Sequence, residues 1–154
     1  MPAIKKILVI VSFLFYVVAC CITAYKDPVA DGGILGITCL GFGWLSFTSG
    51  FAAFVAWLAN FPYFINLVIV LVSKKMSLRI VSVLLAVISL FLSFGAFGVS
   101  EIMKDEGGNM QTVSLGPGLY VWVISFVIMI VAAVLPAEKK LVEVEYIHNP
   151  NPIK

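Results

Sequence analysis

The chain has 154 residues, of which 62% are hydrophobic and 12% charged, with a formal net charge of +2. A soluble domain carries roughly 25% charged residues, so too few polar groups remain to solvate a globule of this size, and the bilayer is the expected solvent. The small net charge gives no electrostatic footprint for nucleic acid. Lipid demands that backbone polar groups pair within the spanning element, which leaves helices or closed barrels. Barrel strands would alternate with period two; the apolar runs here are apolar all round, which predicts an all-α membrane protein.

Lys5-Lys6 precedes an uncharged run over 7–25, long enough for a first span at about 20 residues per crossing. The same run fits a signal peptide, with the two lysines as its basic flank. Val17-Val18-Ala19-Cys20 resembles a lipoprotein processing box that would place a lipid on Cys20, although Val17 stands where leucine is usual and the run stays apolar beyond Cys20. The three cysteines, Cys20, Cys21 and Cys39, make a poor disulfide framework.

Lys26 to Gly33 reads as a loop, because Pro28 disfavours helix at Asp27 and Gly32-Gly33 punctuates the chain. The following apolar stretch, Gly32 to Ser73, is too long for one helix and divides by composition. Residues 34–50 hold Gly36, Gly41, Gly43 and Gly50 together with Thr38, Ser46, Thr48 and Ser49, and predict a membrane-embedded or interfacial element that does not cross. Residues 51–73 lack glycine and predict the second span. Inside it, Pro62 has no N–H for the Leu58 carbonyl and predicts a kink.

The third span is predicted at 80–99, where Ser82, Ala86, Ser89, Ser93, Ala96 and Ser100 recur at steps of four and three and so share one helix face. Ala52, Ala56 and Ala59, then Tyr63 and Asn66, form a counterpart on the second span. Small stripes let helix backbones approach closely in lipid, so the two are predicted to form an inward packing seam. Glu101 to Gly118 reads as an outer loop, and Gly36, Gly41, Gly43 and Gly116-Pro117-Gly118 suggest a compact cap over the helix ends. The fourth span is predicted at 119–136. Tyr25, Trp44, Tyr120 and Trp122 suit an aromatic belt at the outer interface.

Charge placement orients the chain. Lys5-Lys6, Lys74-Lys75-Arg79 and Lys139-Lys140 alternate with acidic segments holding Asp27 and Asp31, then Glu101, Asp105 and Glu106. Loops facing the cytoplasm carry the excess of Lys and Arg. Four crossings put all three basic clusters on one side, with both termini cytoplasmic. One transmembrane domain over 1–137 then precedes a polar cytoplasmic tail over 138–154, in which Val142 to Tyr146 permits a short strand.

Catalytic and cofactor motifs do not emerge. His148 has no metal-ligand companions at suitable spacing, phosphate-binding glycine loops are absent, and no Asp, Glu, Lys or Arg falls inside a predicted span. No cofactor is expected. Asn60, Pro62 and Asn66 are the polar candidates within the membrane, read either as interhelical glue or as a small polar site beside a broken helix. Three functions follow. One is a non-enzymatic protein acting through helix or loop contacts, as an accessory, scaffold or immunity-type factor, with another membrane protein or a second copy as partner. The alternative is a small passive transporter or channel at the kinked span. A lipid- or quinone-directed enzyme using the outer acids Glu101, Asp105 and Glu106 is a weaker third.

The run Trp57 to Pro62 (WLANFP) and the run Gly116 to Trp122 (GPGLYVW) resemble motifs in small uncharacterised four-helix proteins of bacterial inner membranes. That resemblance covers the middle two-thirds of the chain. It implies location and topology and brings no catalytic residues and no substrate.

Overall fold

The computed structural model describes residues 3–28, 32–47, 50–72, 76–103 and 109–135. The predicted tail over 138–154, with His148, lies outside them. Among the described residues, four helical stretches are long and apolar enough to cross a membrane: Ala3–Cys21, Phe51–Val72, Leu78–Gly98 and Pro117–Val134.

The first is helix α1 (Ala3–Cys21). It starts earlier than predicted, taking in Lys5 and Lys6, and stops short of the expected residue 25. Thr23–Lys26 is instead strand β1, which pairs antiparallel with β2 (Gly33–Leu35). The expected loop from Lys26 to Gly33 thus joins two paired strands, and among its described residues the Asp27 N–H donates to the Gly32 carbonyl at 3.1 Å. Helix α2 (Gly36–Phe42) and a 3-10 turn (Gly43–Phe47) follow. At about 1.5 Å per residue, Gly36–Phe47 is too short to cross about 30 Å of hydrocarbon.

The second apolar stretch is two helices, α3 (Phe51–Leu58) and α4 (Asn60–Val72). The break at Ala59 precedes Pro62 by one turn, where the missing proline N–H costs the helix a hydrogen bond. The Ala59 N–H tightens onto the Ala56 carbonyl at 3.1 Å. Helix α5 (Met76–Ser93) ends in a second 3-10 turn (Phe94–Gly98), and α6 (Pro117–Val134) starts with proline in its first turn, where its missing N–H costs nothing.

The segment predicted as a plain outer loop holds three strands, β3 (Glu101–Met103), β4 (Met110–Thr112) and β5 (Ser114–Leu115). The all-α expectation is corrected accordingly: the chain is mostly helical, with five short strands among the described residues. In one sheet β1 lies between β2 and β5, so that Tyr25 pairs with Ile34 on one side and Leu115 on the other. The other sheet is the β3–β4 hairpin, with Ile102 opposite Gln111. The Val113 N–H donates to the Ser100 carbonyl at 2.9 Å, and the Gln111 amide donates to the Asp27 carboxylate.

All five strands sit at the end of the molecule where α1 and α5 finish and α3 and α6 begin. Two glycines permit this crowding. A Cβ on Gly36 would overlap the Ala19 carbonyl at the end of α1, and one on Gly116 would overlap the Thr23 carbonyl. The expected cap thus exists at these positions, whereas Gly41 faces open space and Gly43 lies against the Trp57 ring.

The core has two parts. Val9, Tyr16, Ala59, Tyr63, Val70, Ala86, Phe126 and Met129 fill the space between the helices. Ala24, Tyr25, Ala56, Ala96, Val99 and Leu119 fill the space under the strands. The outward faces are apolar as well: Ile7 is 57% exposed, and Val72 and Phe91 are each 76% exposed. A water-facing surface of that kind would be an aggregation hazard.

Candidate functional site

Within the first core part, polar side chains project inward from all four long helical stretches. On α1 the buried residues Lys5, Val9, Ser12, Tyr16 and Ala19 recur at steps of four and three, one face of a helix. On α4 the buried set is Asn60, Tyr63, Asn66 and Val70. These faces meet. The Ser12 hydroxyl donates to the Ser125 carbonyl of α6 at 2.7 Å. Its single proton is then committed, so at the 3.0 Å contact between Ser12 Oγ and Tyr63 Oη the tyrosine donates. One turn higher, the Tyr16 hydroxyl donates to Asn60 Oδ1 at 2.7 Å. The Tyr16 and Tyr63 rings stack at 4.9 Å between centroids.

Asn60 lies at the helix break and mends it. Its Nδ2 donates to the Trp57 carbonyl at 2.7 Å; the carbonyl it reaches is Trp57's, not the Leu58 group expected from the position of Pro62. Asn66 takes a different partner. Its Oδ1 accepts from the Ser82 hydroxyl of α5 at 2.5 Å, and its Nδ2, in a fully buried side chain, has no hydrogen-bond partner. Asn60 and Asn66 therefore serve separate networks, with the fully buried Tyr63 between them on the helix face. Pro62 shapes the backbone rather than joining either network.

The seam residues Ser82, Ala86, Ser89, Ser93, Ala96, Ala56 and Ala59 are all buried, Ala52 is partly buried and Ser100 is exposed. Ser89 and Ser93 donate back to the carbonyls of Leu85 and Leu90 in their own helix, so they pack rather than bridge. Where the 3-10 turn crosses α3, a Cβ on Gly95 would stand 2.7 Å from the Ala52 carbonyl oxygen, so the two backbones nearly touch.

Above these networks, under the strands, lies a half-enclosed cavity of about 560 Å³. Asn60 and Tyr16 stand among its lining residues with the rings of Trp57 and Trp122, and Cys20 and Cys39 share its wall. The Trp57 indole is held by donating to the Leu40 carbonyl at 2.9 Å, and the Tyr25 hydroxyl donates to the Ala96 carbonyl at 3.0 Å. Burial first, then the neighbouring Cys20 thiol, push the Cys39 thiol up to about 11. Burial, with Cys39 beside it, likewise raises the Tyr25 phenol above its ordinary value. Neither group ionises at neutral pH.

The three cysteines are free thiols, with Cys20 in the last turn of α1. Among the described residues no three of His, Cys, Asp and Glu gather as metal ligands.

Sequence reasoning missed Ser12, Tyr16 and Ser125. The stripe in α1 was readable at the same steps that marked the third span, but its members are too mixed in size to stand out by composition. Compared with protein-family models, with curated proteins and with solved structures, the chain matches none.

Proposed function

We propose that this chain is a multi-pass membrane protein that acts by contact rather than by catalysis, as an accessory, scaffold or immunity-type factor. In this reading the four long apolar stretches cross the bilayer as one bundle. Gly36–Phe47 lies embedded or at the interface without crossing. Both termini are cytoplasmic, the strands face outward, and the membrane is a bacterial inner membrane, as the WLANFP and GPGLYVW motifs suggest. The partner is another membrane protein or a second copy.

The observation that carries this reading is the hydrogen-bond chain from Tyr63 through Ser12 to the Ser125 carbonyl. It joins α4, α1 and α6, so these hydroxyls hold helices together in a setting where van der Waals packing and such bonds drive association. The apolar outward faces support lipid as the solvent. Charge supports the orientation: Lys5, Lys6 and Arg79 lie at one end, where the Arg79 guanidinium donates to the Val134 carbonyl of α6, and Asp27 and Glu101 lie at the strand end. The Tyr63 ring between Asn60 and Asn66 favours packing over conduction.

The test joins topology to assembly. Single cysteines at Lys6 and Lys26, in a chain without its native cysteines, should react with an impermeant maleimide from opposite faces of the membrane. Val72→Ala and Phe91→Ala, on the outward apolar faces, should release whatever co-purifies with the native chain in mild detergent. Solute flux in proteoliposomes that disappears in Asn60→Ala and Asn66→Ala would instead establish the passive-transport alternative.

A further inference from the structure

We infer that the cavity under the strands binds a neutral lipophile whose one polar end is a hydroxyl or carbonyl oxygen. Native interiors leave few voids larger than a water molecule, and about 560 Å³ is far beyond a packing defect. It falls within the range of about 300–1,000 Å³ typical of ligand pockets. Water is a poor filling, because a buried water needs two to four polar partners and the walls here are mostly apolar, with Ile34, Ala53 and Leu119 among them.

Two features select the ligand. The first is the polar end. Asn60 is 7% exposed, and its amide has two N–H donors, of which one holds the Trp57 carbonyl. The second N–H is available to an oxygen, while Asn60 Oδ1 already accepts one bond from Tyr16. The Trp57 and Trp122 rings stand beside it as flat apolar walls for the adjoining carbon skeleton. The second is charge. Among the described lining residues Glu101 is the one Asp, Glu, Lys or Arg, and it is acidic. With no Lys or Arg among the described lining residues to pair it, a carboxylate or phosphate head would meet an uncompensated desolvation cost. A fatty acid or a phospholipid headgroup is therefore disfavoured, and an uncharged alcohol or ketone lipid is favoured. This inference stands apart from the contact reading above, since a scaffold and a transporter could each carry such a ligand.

Photolabelling of the full-length chain in nanodiscs of zwitterionic phospholipid tests it. The probes are a long-chain primary alcohol with a mid-chain diazirine and the matching ionised carboxylic acid. The alcohol should form adducts on peptides carrying Trp57 and Leu119, at about tenfold higher yield than the acid, a difference of one power of ten in affinity. Ala53→Trp, which fills the cavity from α3, should abolish those adducts while labelling at the outward residues Val72 and Phe91 persists. Asn60→Ala should weaken cavity labelling by the alcohol and not by the matching diazirine alkane. Equal labelling by acid and alcohol would overturn the inference, as would adducts confined to the outward faces or cavity adducts that survive Ala53→Trp. Protection of the cavity by a second copy of the chain, seen as dimer-dependent loss of labelling, would overturn it too.

Discussion

The Tyr63 hydroxyl lies 3.0 Å from the Ser12 hydroxyl, across 51 positions of sequence, and Ser12 passes the connection to the Ser125 carbonyl, 113 positions away. One small side chain therefore couples three helices, and its removal should cost more than the removal of either partner's contribution. Ser12→Ala removes two bonds at once, the one accepted from Tyr63 and the one donated to the Ser125 carbonyl, whereas Tyr63→Phe leaves Ser12 with its backbone bond intact. Interhelical hydrogen bonds in bilayers average about 0.6 kcal/mol, with a maximum near 1.7. We expect Tyr63→Phe to lower unfolding stability in bicelles by about that average and Ser12→Ala to cost about twice as much. Steric-trapping unfolding measures both.

Asn66 offers a contrasting pair. Its Nδ2 is buried without a partner while its Oδ1 accepts from Ser82. Ser82→Ala alone should destabilise by about 1–2 kcal/mol, because it leaves the whole buried amide unpaired. Replacing both partners by apolar groups of similar shape is close to neutral, so the double variant Ser82→Ala with Asn66→Leu should recover most of that loss. A double-mutant cycle in the same unfolding assay reads the coupling directly.

Two neighbouring glycines should behave oppositely. The Cβ of an alanine at position 95 would stand 2.7 Å from the Ala52 carbonyl oxygen, whereas one at 98 would meet the Ala52 Cβ at an ordinary 3.7 Å. Gly95→Ala should push the 3-10 turn off α3 and cost about 1–3 kcal/mol, as overpacking does. Gly98→Ala should be neutral or stabilise by up to about 1 kcal/mol through the unfolded chain. Comparative thermal denaturation in detergent separates the two.

Cys39 should be a slow thiol. Raised from 9.0 to about 11, it holds a hundredfold less thiolate at neutral pH than an unshifted group. The greater nucleophilicity of a more basic thiolate returns about a factor of ten. Alkylation of a single-cysteine chain retaining Cys39 should therefore run about tenfold slower than that of a free thiol. Because the neutral form is the favoured one in the folded chain, the rate should climb with pH up to about 11. A profile that levels off near pH 9.0 would mean that Cys39 is not buried as described.

Much of the helical layout is legible in the sequence itself. The four apolar stretches follow from composition, because a run of some 20 residues without charge has one plausible solvent. The interruption of the second stretch follows from Pro62 alone, since the missing N–H acts within one turn. The small-residue stripe from Ser82 to Ala96 was legible for the same reason: a helix converts spacing into a face without help from the rest of the chain.

What the sequence by itself determined is thus local: which segments are apolar, where a helix must break, and which residues share a side. The strands were not local. Thr23–Lys26 reads as the end of an apolar helix until Gly33–Leu35 and Ser114–Leu115 arrive on either flank to pair its backbone. Only the assembled fold could decide that Tyr16 and Asn60 meet, that Asn60 and Asn66 serve different helices, and that a cavity remains beneath the sheet. Each depends on how separate helices are placed against one another, and a hydrogen bond or a void between them leaves no periodic trace in any one segment.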